Sequence, residues 1–93
     1  MKFLTTFKIN KGFDRWLKLI DDLQPYMDKY EYNMLFACTN DDETVVYDFG
    51  EANNMDLATK MLSDPDVINL RKEAGVDLES QEVLSTISKH KIW

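Results

Sequence analysis

Hydrophobic residues near the start of the chain change from a period of two to a period of three to four. Over residues 2–9 they favour the odd positions, which is typical of a half-buried strand. Over residues 13–30 they recur at helical spacing, after a break at Asn10-Lys11-Gly12. Pro25 lies inside this helical segment, so we expect the helix to kink or split near Leu23-Gln24. The apolar stripe of the helix consists of Phe13, Trp16, Leu17, Ile20, Leu23, Met27 and Tyr30.

The middle of the chain has the pattern of a β-hairpin. Residues 32–39 are apolar on both faces, residues 44–49 are nearly so, and four polar residues, 40–43, separate them. A polar connection of this length is typical of a hairpin turn. Strands that are apolar on both faces are expected between two covering layers.

The last third of the chain predicts a broken helix and a final strand. Residues 54–62 have helical spacing, and Ser63-Asp64-Pro65 then marks a break and a restart. Asp64 is suited to cap the second segment, with Pro65 at its first position. Gly75 is a helix stop signal, and residues 80–91 predict a weaker final strand.

This order, β-α-β-β-α-β, predicts an α+β, ferredoxin-like fold built as one domain over residues 1–93. We expect an antiparallel sheet with strand order 4-1-3-2 and both helices on one face. The helices cover one face only, so the strands that are apolar on both faces need a further layer. That layer must come from something other than the chain's own helices.

Charge and cysteine content narrow the class of protein. The chain has 93 residues with 17 acidic and 11 basic side chains, a net charge of −6, which argues against nucleic-acid binding. Cys38 is the only cysteine, so no intrachain disulfide can form. There is no signal-peptide pattern and no apolar run of bilayer length, so we expect a cytoplasmic protein with no membrane partner.

Two segments carry a resemblance to a known superfamily. The opening KFLTTFKINKGFDRWLKLID and the later SDPDVINLRKEAGV, before the last strand, resemble short members of the dimeric α+β barrel superfamily. That superfamily includes antibiotic-biosynthesis monooxygenases, haem-degrading monooxygenases and stress-responsive barrel proteins. The opening is most similar to a small bacterial group of it without a characterised function. The resemblance implies that two protomers pack sheet against sheet to form the barrel.

Candidate chemistry was sought on the sheet face away from the helices, which the barrel would place in its lumen. If the odd face of the first strand packs on the helices, this second face carries apolar and hydroxyl side chains. His90 and Asp48 are then candidate acid or base catalysts. The candidate ligand-binding residues are Thr6, Val46, Thr86 and Ser88. A partly wet dimer interface without a ligand remains the alternative, and a register slip of one residue would exchange the two faces.

The other candidate residues are less suited to bind a metal or to act as a catalyst. A single histidine excludes three-histidine and facial-triad metal sites, and we expect neither a metal nor a cofactor. Trp16 belongs to the helical core stripe. Cys38 is expected to be a small buried hydrophobe rather than a reactive thiolate. Asp41-Asp42-Glu43 lacks the ligand spacing of a calcium loop and is expected to be a solvated turn.

Two functional hypotheses follow. The first is a homodimeric α+β barrel protein that binds a small apolar or aromatic molecule between the sheet and the partner, without assured catalysis. The alternative, which depends on the resemblance, is a cofactor-independent monooxygenase or isomerase of the antibiotic-biosynthesis type.

Overall fold

The structure is a computed structural model that describes residues 1–93. Its seven elements follow the order β-α-β-β-α-α-β. The bounds are β1 Lys2–Ile9, α1 Phe13–Lys29, β2 Tyr32–Thr39, β3 Val45–Ala52, α2 Met55–Ser63, α3 Pro65–Glu73 and β4 Val76–Ile87. None of the three helices combines the length and the apolar character needed to cross a membrane.

The four strands form one antiparallel sheet in the order β2-β3-β1-β4. Read from the β4 edge, this order is 4-1-3-2, the order expected of a ferredoxin-like sheet. The pairing of β1 with β4 is interrupted between Leu4 and Thr5 and between Thr6 and Lys8. At the second interruption the Lys8 N–H donates to the Ser80 hydroxyl (2.8 Å), which keeps this backbone donor satisfied.

The core lies between the helices and one face of the sheet. Trp16 is 2% exposed, stacks on Phe13 (ring centroids 5.5 Å apart) and meets Phe7 of β1 at 5.9 Å. The prediction that the odd positions of β1 face the helices is therefore confirmed, because Thr5, Phe7 and Ile9 are all buried. Burial of such a stripe supplies most of the stability of a helix in a domain of this size.

The helix boundaries follow local capping chemistry. Asn54 accepts hydrogen bonds from the Asp56 and Leu57 N–H groups at the start of α2. Asp64 accepts from the Asp66 N–H at the start of α3, with Pro65 in its first turn, as expected. Asp64 also accepts from the Tyr30 hydroxyl (2.7 Å), which ties α3 to the end of α1.

Two expectations about the elements were wrong. The first helix was expected to kink or split near Leu23-Gln24, and the split does not occur: α1 runs as one helix to Lys29 with Pro25 inside it, because its buried stripe continues to Met27. The final strand covers Val76–Ile87 instead of residues 80–91. It starts earlier because Val76 is buried and pairs with Ile9 of β1. It ends earlier because β1 begins at Lys2, whose partner is Ile87.

Candidate functional site

A cavity of ≈ 160 Å³ lies between the sheet and the helices. It is comparable to an engineered apolar cavity of about 150 Å³ that binds benzene. Most of its wall is hydrophobic, and its polar lining residues are few. The lining residues are Phe3, Thr5, Phe7, Trp16, Leu19, Ile20, Leu23, Met27, Tyr32, Met34, Asp48, Met55, Ala58, Thr59, Met61, Leu62, Val67, Arg71, Gln81 and Val83. Such a wall suits a small apolar molecule that has one polar end.

Asp48 supplies a carboxyl group to this cavity. It lies on β3 opposite Thr5 of β1, is 6% exposed, and its Oδ1 has no hydrogen-bond partner. Burial raises the pKa of Asp48 from 3.8 to about 6, against the opposing effect of the nearby positive charge of Arg71. A buried acceptor without a donor is costly, so the carboxyl group would be stabilised by a hydrogen-bond donor that a bound molecule brings into the cavity.

Arg71 supplies the opposite charge. The α3 helix directs its side chain over the Phe7 ring, 5.5 Å from the guanidinium carbon to the ring centroid, and Nη2 donates to the Gln81 side-chain oxygen. Burial lowers the pKa of Arg71, whereas Asp48 and Tyr32 raise it. The guanidinium remains charged at neutral pH, so it offers further N–H donors to the cavity.

Tyr32 is the third polar group, and its position depends on a glycine. A Cβ at Gly50 of β3 would overlap the Tyr32 hydroxyl, so only glycine leaves room for the phenol here. Burial, and then the charge of Asp48, raises the pKa of Tyr32. The phenol is therefore neutral at physiological pH and can donate a hydrogen bond.

One end of the cavity reaches the protein surface between α2 and β4. Met55, Leu62 and Val83 line it there and are 43%, 44% and 54% exposed, respectively. The opposite, inner wall includes Trp16 and Leu19, which are almost fully buried. The wall is therefore most exposed to solvent at side chains from α2 and β4.

The other face of the sheet, which we call the outer face, is covered only in part. The segment after β4, residues 88–93, passes over it, and the His90 ring meets Phe49 edge-on with centroids 4.9 Å apart. An open groove of ≈ 510 Å³ lies between the outer face and this segment. Its lining residues are Leu4, Phe36, Phe49, Ile87, His90, Lys91, Ile92 and Trp93.

The structure separates the predicted site residues instead of bringing them together. The expectation that Val46 and Asp48 face away from the helices was wrong: they pair with Phe7 and Thr5, share their face and are buried. Thr86 pairs with Phe3 and also lies on the helix side. Consecutive strand residues alternate faces, so the register between β1 and β3 decides this result.

Thr6 and His90 lie on the outer side, as expected, although His90 is beyond the end of β4 instead of in a strand. The Thr6 hydroxyl donates to the Val46 carbonyl oxygen (3.0 Å), so it already has a partner. Ser88 follows β4 and is exposed. Asp48 and His90 therefore lie on opposite faces of the sheet and cannot act on one bound molecule.

Arg71 and Tyr32 were not predicted as site residues. A signal for Arg71 was present, because it follows the buried Val67 by four residues and so shares its helix face. The position of Tyr32 depends on the register of β2 against Gly50, which the sequence does not show. Cys38 was expected to be buried, but it lies on the edge strand β2 and is exposed.

No group of three or more His, Cys, Asp or Glu side chains in this structure is arranged to hold a metal ion. The polar end of the cavity instead combines one carboxyl group, one guanidinium and one phenol. These three groups can bind a polar substituent by hydrogen bonds, and the carboxyl group can accept a proton.

Comparison with known proteins supports the fold alone. No protein-family model matches the chain, and no curated protein matches it. The chain is similar to a solved structure described as "Structural Genomics, protein YJCS", with a TM-score of 0.60 and 16% sequence identity. The match covers 94% of this chain and 98% of that one. The similarity is consistent with a ferredoxin-like α+β fold and carries no information on activity.

Proposed function

We propose that this protein is a small-molecule-binding protein whose ligand occupies the cavity between the helices and the sheet. The observation that carries the proposal is the buried, unpartnered Asp48 carboxyl oxygen in a cavity that is otherwise mostly apolar. A structural core without a ligand would gain stability from an apolar residue here, because an unsatisfied buried oxygen is costly. The sequence predicted a ligand between the sheet and a partner, and the cavity favours the helix side instead.

The test is to titrate the protein with benzene, toluene and indole. Binding is monitored by NMR chemical-shift changes and by the midpoint of thermal unfolding. We expect changes centred on residues that line the cavity, and a midpoint that rises with ligand concentration. Ala58→Leu should weaken binding, because Ala58 is buried and lines the cavity. Lys60→Leu is the matched control, on the same helix but exposed and outside the lining. Absence of binding by all three probes would contradict the proposal.

We further propose that two copies pair through their outer faces, as in the dimeric α+β barrel superfamily. Phe36 and Tyr47 on this face are 53% and 40% exposed, a large apolar exposure for a small monomer. A native mass near twice the chain mass of 10.9 kDa is expected. Phe36→Glu should shift the protein toward the monomer, and Asn69→Glu on the exposed side of α3 should not. A native mass of one chain at all concentrations would contradict this pairing.

A second candidate function is catalysis as an isomerase. The alternative hypothesis named a monooxygenase or an isomerase, and the cavity favours the isomerase. Asp48 has a pKa of about 6 and faces a guanidinium, so it is suited to accept a proton from carbon next to a carbonyl group. The C–H bond would break, its proton would move to Asp48, and its electron pair would form an enolate at Arg71. Deuterium exchange into cyclohexanone in D₂O, abolished by Asp48→Asn, is the expected result. Exchange at the buffer rate would contradict it.

A further inference from the structure

The polar end of the cavity needs a group that both donates and accepts hydrogen bonds. The Asp48 carboxyl group lines the cavity and one of its oxygens has no partner, so a molecule beside this group must donate to it when it is charged. Arg71 has only donors, one of which is occupied by Gln81, so a molecule beside it must accept. A hydroxyl group meets both requirements with one atom.

Charge further restricts the bound molecule. Asp48 and Arg71 are the charged side chains among the lining residues, and those contributed by α1, α2, β1 and β4 carry no charge. A cationic ligand would be attracted to Asp48 but repelled by Arg71. An anionic ligand would be attracted to Arg71 but repelled by Asp48. Both repulsions are strong in a cavity with an apolar wall, where water screens little. A neutral polar group avoids both.

Resting on the proposed function, we propose that the cavity selects small neutral alcohols. The apolar body lies among the core side chains, and the hydroxyl donates to the Asp48 carboxyl group and accepts from an Arg71 N–H group. The size of the cavity, ≈ 160 Å³, limits the body to about one six-membered ring. Tyr32, which is neutral, lies on the β2 side of the same polar end and adds no charge.

This arrangement links binding to the protonation of Asp48. A hydroxyl that donates to the carboxylate favours its charged form, so the bound state has a lower pKa at Asp48 than the free state, where it is about 6. Alcohol binding at pH 5 therefore releases a proton. By linkage, the affinity should rise up to about tenfold between pH 5 and pH 7.5.

Calorimetric titration of the full chain with four matched probes tests the proposal. The probes are benzyl alcohol, toluene, benzylamine and benzoate. At pH 7.5 we expect benzyl alcohol to bind at least tenfold more tightly than each of the other three. This advantage over toluene should shrink at pH 5. Asp48→Asn should make it independent of pH, and Asp77→Asn, at an exposed position, should change nothing.

The outcomes separate this proposal from the proposed function. Equal affinity for benzyl alcohol and toluene would overturn the alcohol selectivity while the binding function stands. Tighter binding of benzylamine or benzoate would also overturn it, because the site would then select a charge. Absence of binding by toluene and benzyl alcohol alike would overturn both proposals.

Discussion

The helix-facing side and the outer face of the sheet use the same four strands but are covered very differently. On β3, Val46 and Asp48 point toward the helices and are buried, whereas Tyr47 between them is 40% exposed on the outer face. Three helices cover the first side, and the six residues after β4 cover part of the second. The polar groups capable of chemistry are enclosed on the covered side.

Enclosure on the covered side gives Asp48 properties that an exposed carboxyl group lacks. Asp48 and His90 are both titratable candidates in the sequence. Only Asp48 is removed from water, and burial raises its pKa. His90 is exposed and contacts a single aromatic ring. Substitutions made on each side separately measure how much each side contributes to the stability of the fold.

The largest expected difference in the free energy of unfolding comes from replacing a tryptophan by alanine on each side. Trp16→Ala should lower the free energy of unfolding by about 3–5 kcal/mol, because Trp16 is 2% exposed and packs on two aromatic rings. Trp93→Ala should change it by less than about 0.5 kcal/mol, because Trp93 is 101% exposed. Urea unfolding of both variants gives the comparison. A cost above about 1 kcal/mol for Trp93→Ala would show that the outer face is covered in solution, as in a dimer.

The next effect concerns the pH dependence of stability. The pKa of Asp48 is higher in the folded state than its ordinary 3.8, so the folded state binds more protons between that value and about 6. Stability should therefore fall as pH rises from about 4 to 6. The difference corresponds to roughly 3 kcal/mol at neutral pH, an upper estimate.

Asp48→Asn should remove this dependence, because the amide keeps the shape of the protonated acid without its charge. We expect the variant to gain about 2–3 kcal/mol at pH 7.5 and little at pH 4. Urea unfolding at both pH values is the measurement, with Asp77→Asn on the exposed side of β4 as control. A variant less stable than the parent at pH 7.5 would mean that the charge of Asp48 is needed to balance that of Arg71.

The third effect tests how the helix-facing side positions its phenol. Gly50→Ala should cost about 1–3 kcal/mol, because the new methyl group would overlap the Tyr32 side chain. In a Tyr32→Ala background the same change should cost clearly less, so the two substitutions are not additive. Unfolding free energies of the two single variants and the double variant complete the cycle. Additive costs would show that Tyr32 does not occupy the space over Gly50.

The sequence predicted most strands and helices well, because their signals depend on residues that are near one another in the chain. Period-two alternation defined β1 over residues 2–9, and Asp64-Pro65 marked the start of α3 as the structure has it. The first helix was predicted to end one residue beyond Lys29. The split at Pro25, one of the two expected effects of this residue, does not occur, because the packing of the last turns on the core outweighs one lost hydrogen bond.

The candidate site was predicted poorly because it depends on register. Asp48 was identified as a candidate, but its face was assigned incorrectly, since that assignment needs the pairing of Thr5 with Asp48. Arg71 comes from α3 and Tyr32 from β2, and only the tertiary fold brings them to one cavity. The periodicity within one helix or strand does not show which residues of other elements lie next to it in the fold.

The smallest expected effect lies on the outer face, at the contact of His90 with Phe49. The rings meet edge-on at 4.9 Å, a geometry that contributes about 0.5–1 kcal/mol between aromatic side chains. His90→Ala should lower the unfolding free energy by about that amount and leave toluene binding unchanged, because His90 does not line the helix-side cavity. Lys89→Ala is the control for the same exposed segment. A loss above about 2 kcal/mol that shrinks on dilution would instead place His90 in contact with a second copy of the chain, because a dimer contact stabilises less at low concentration.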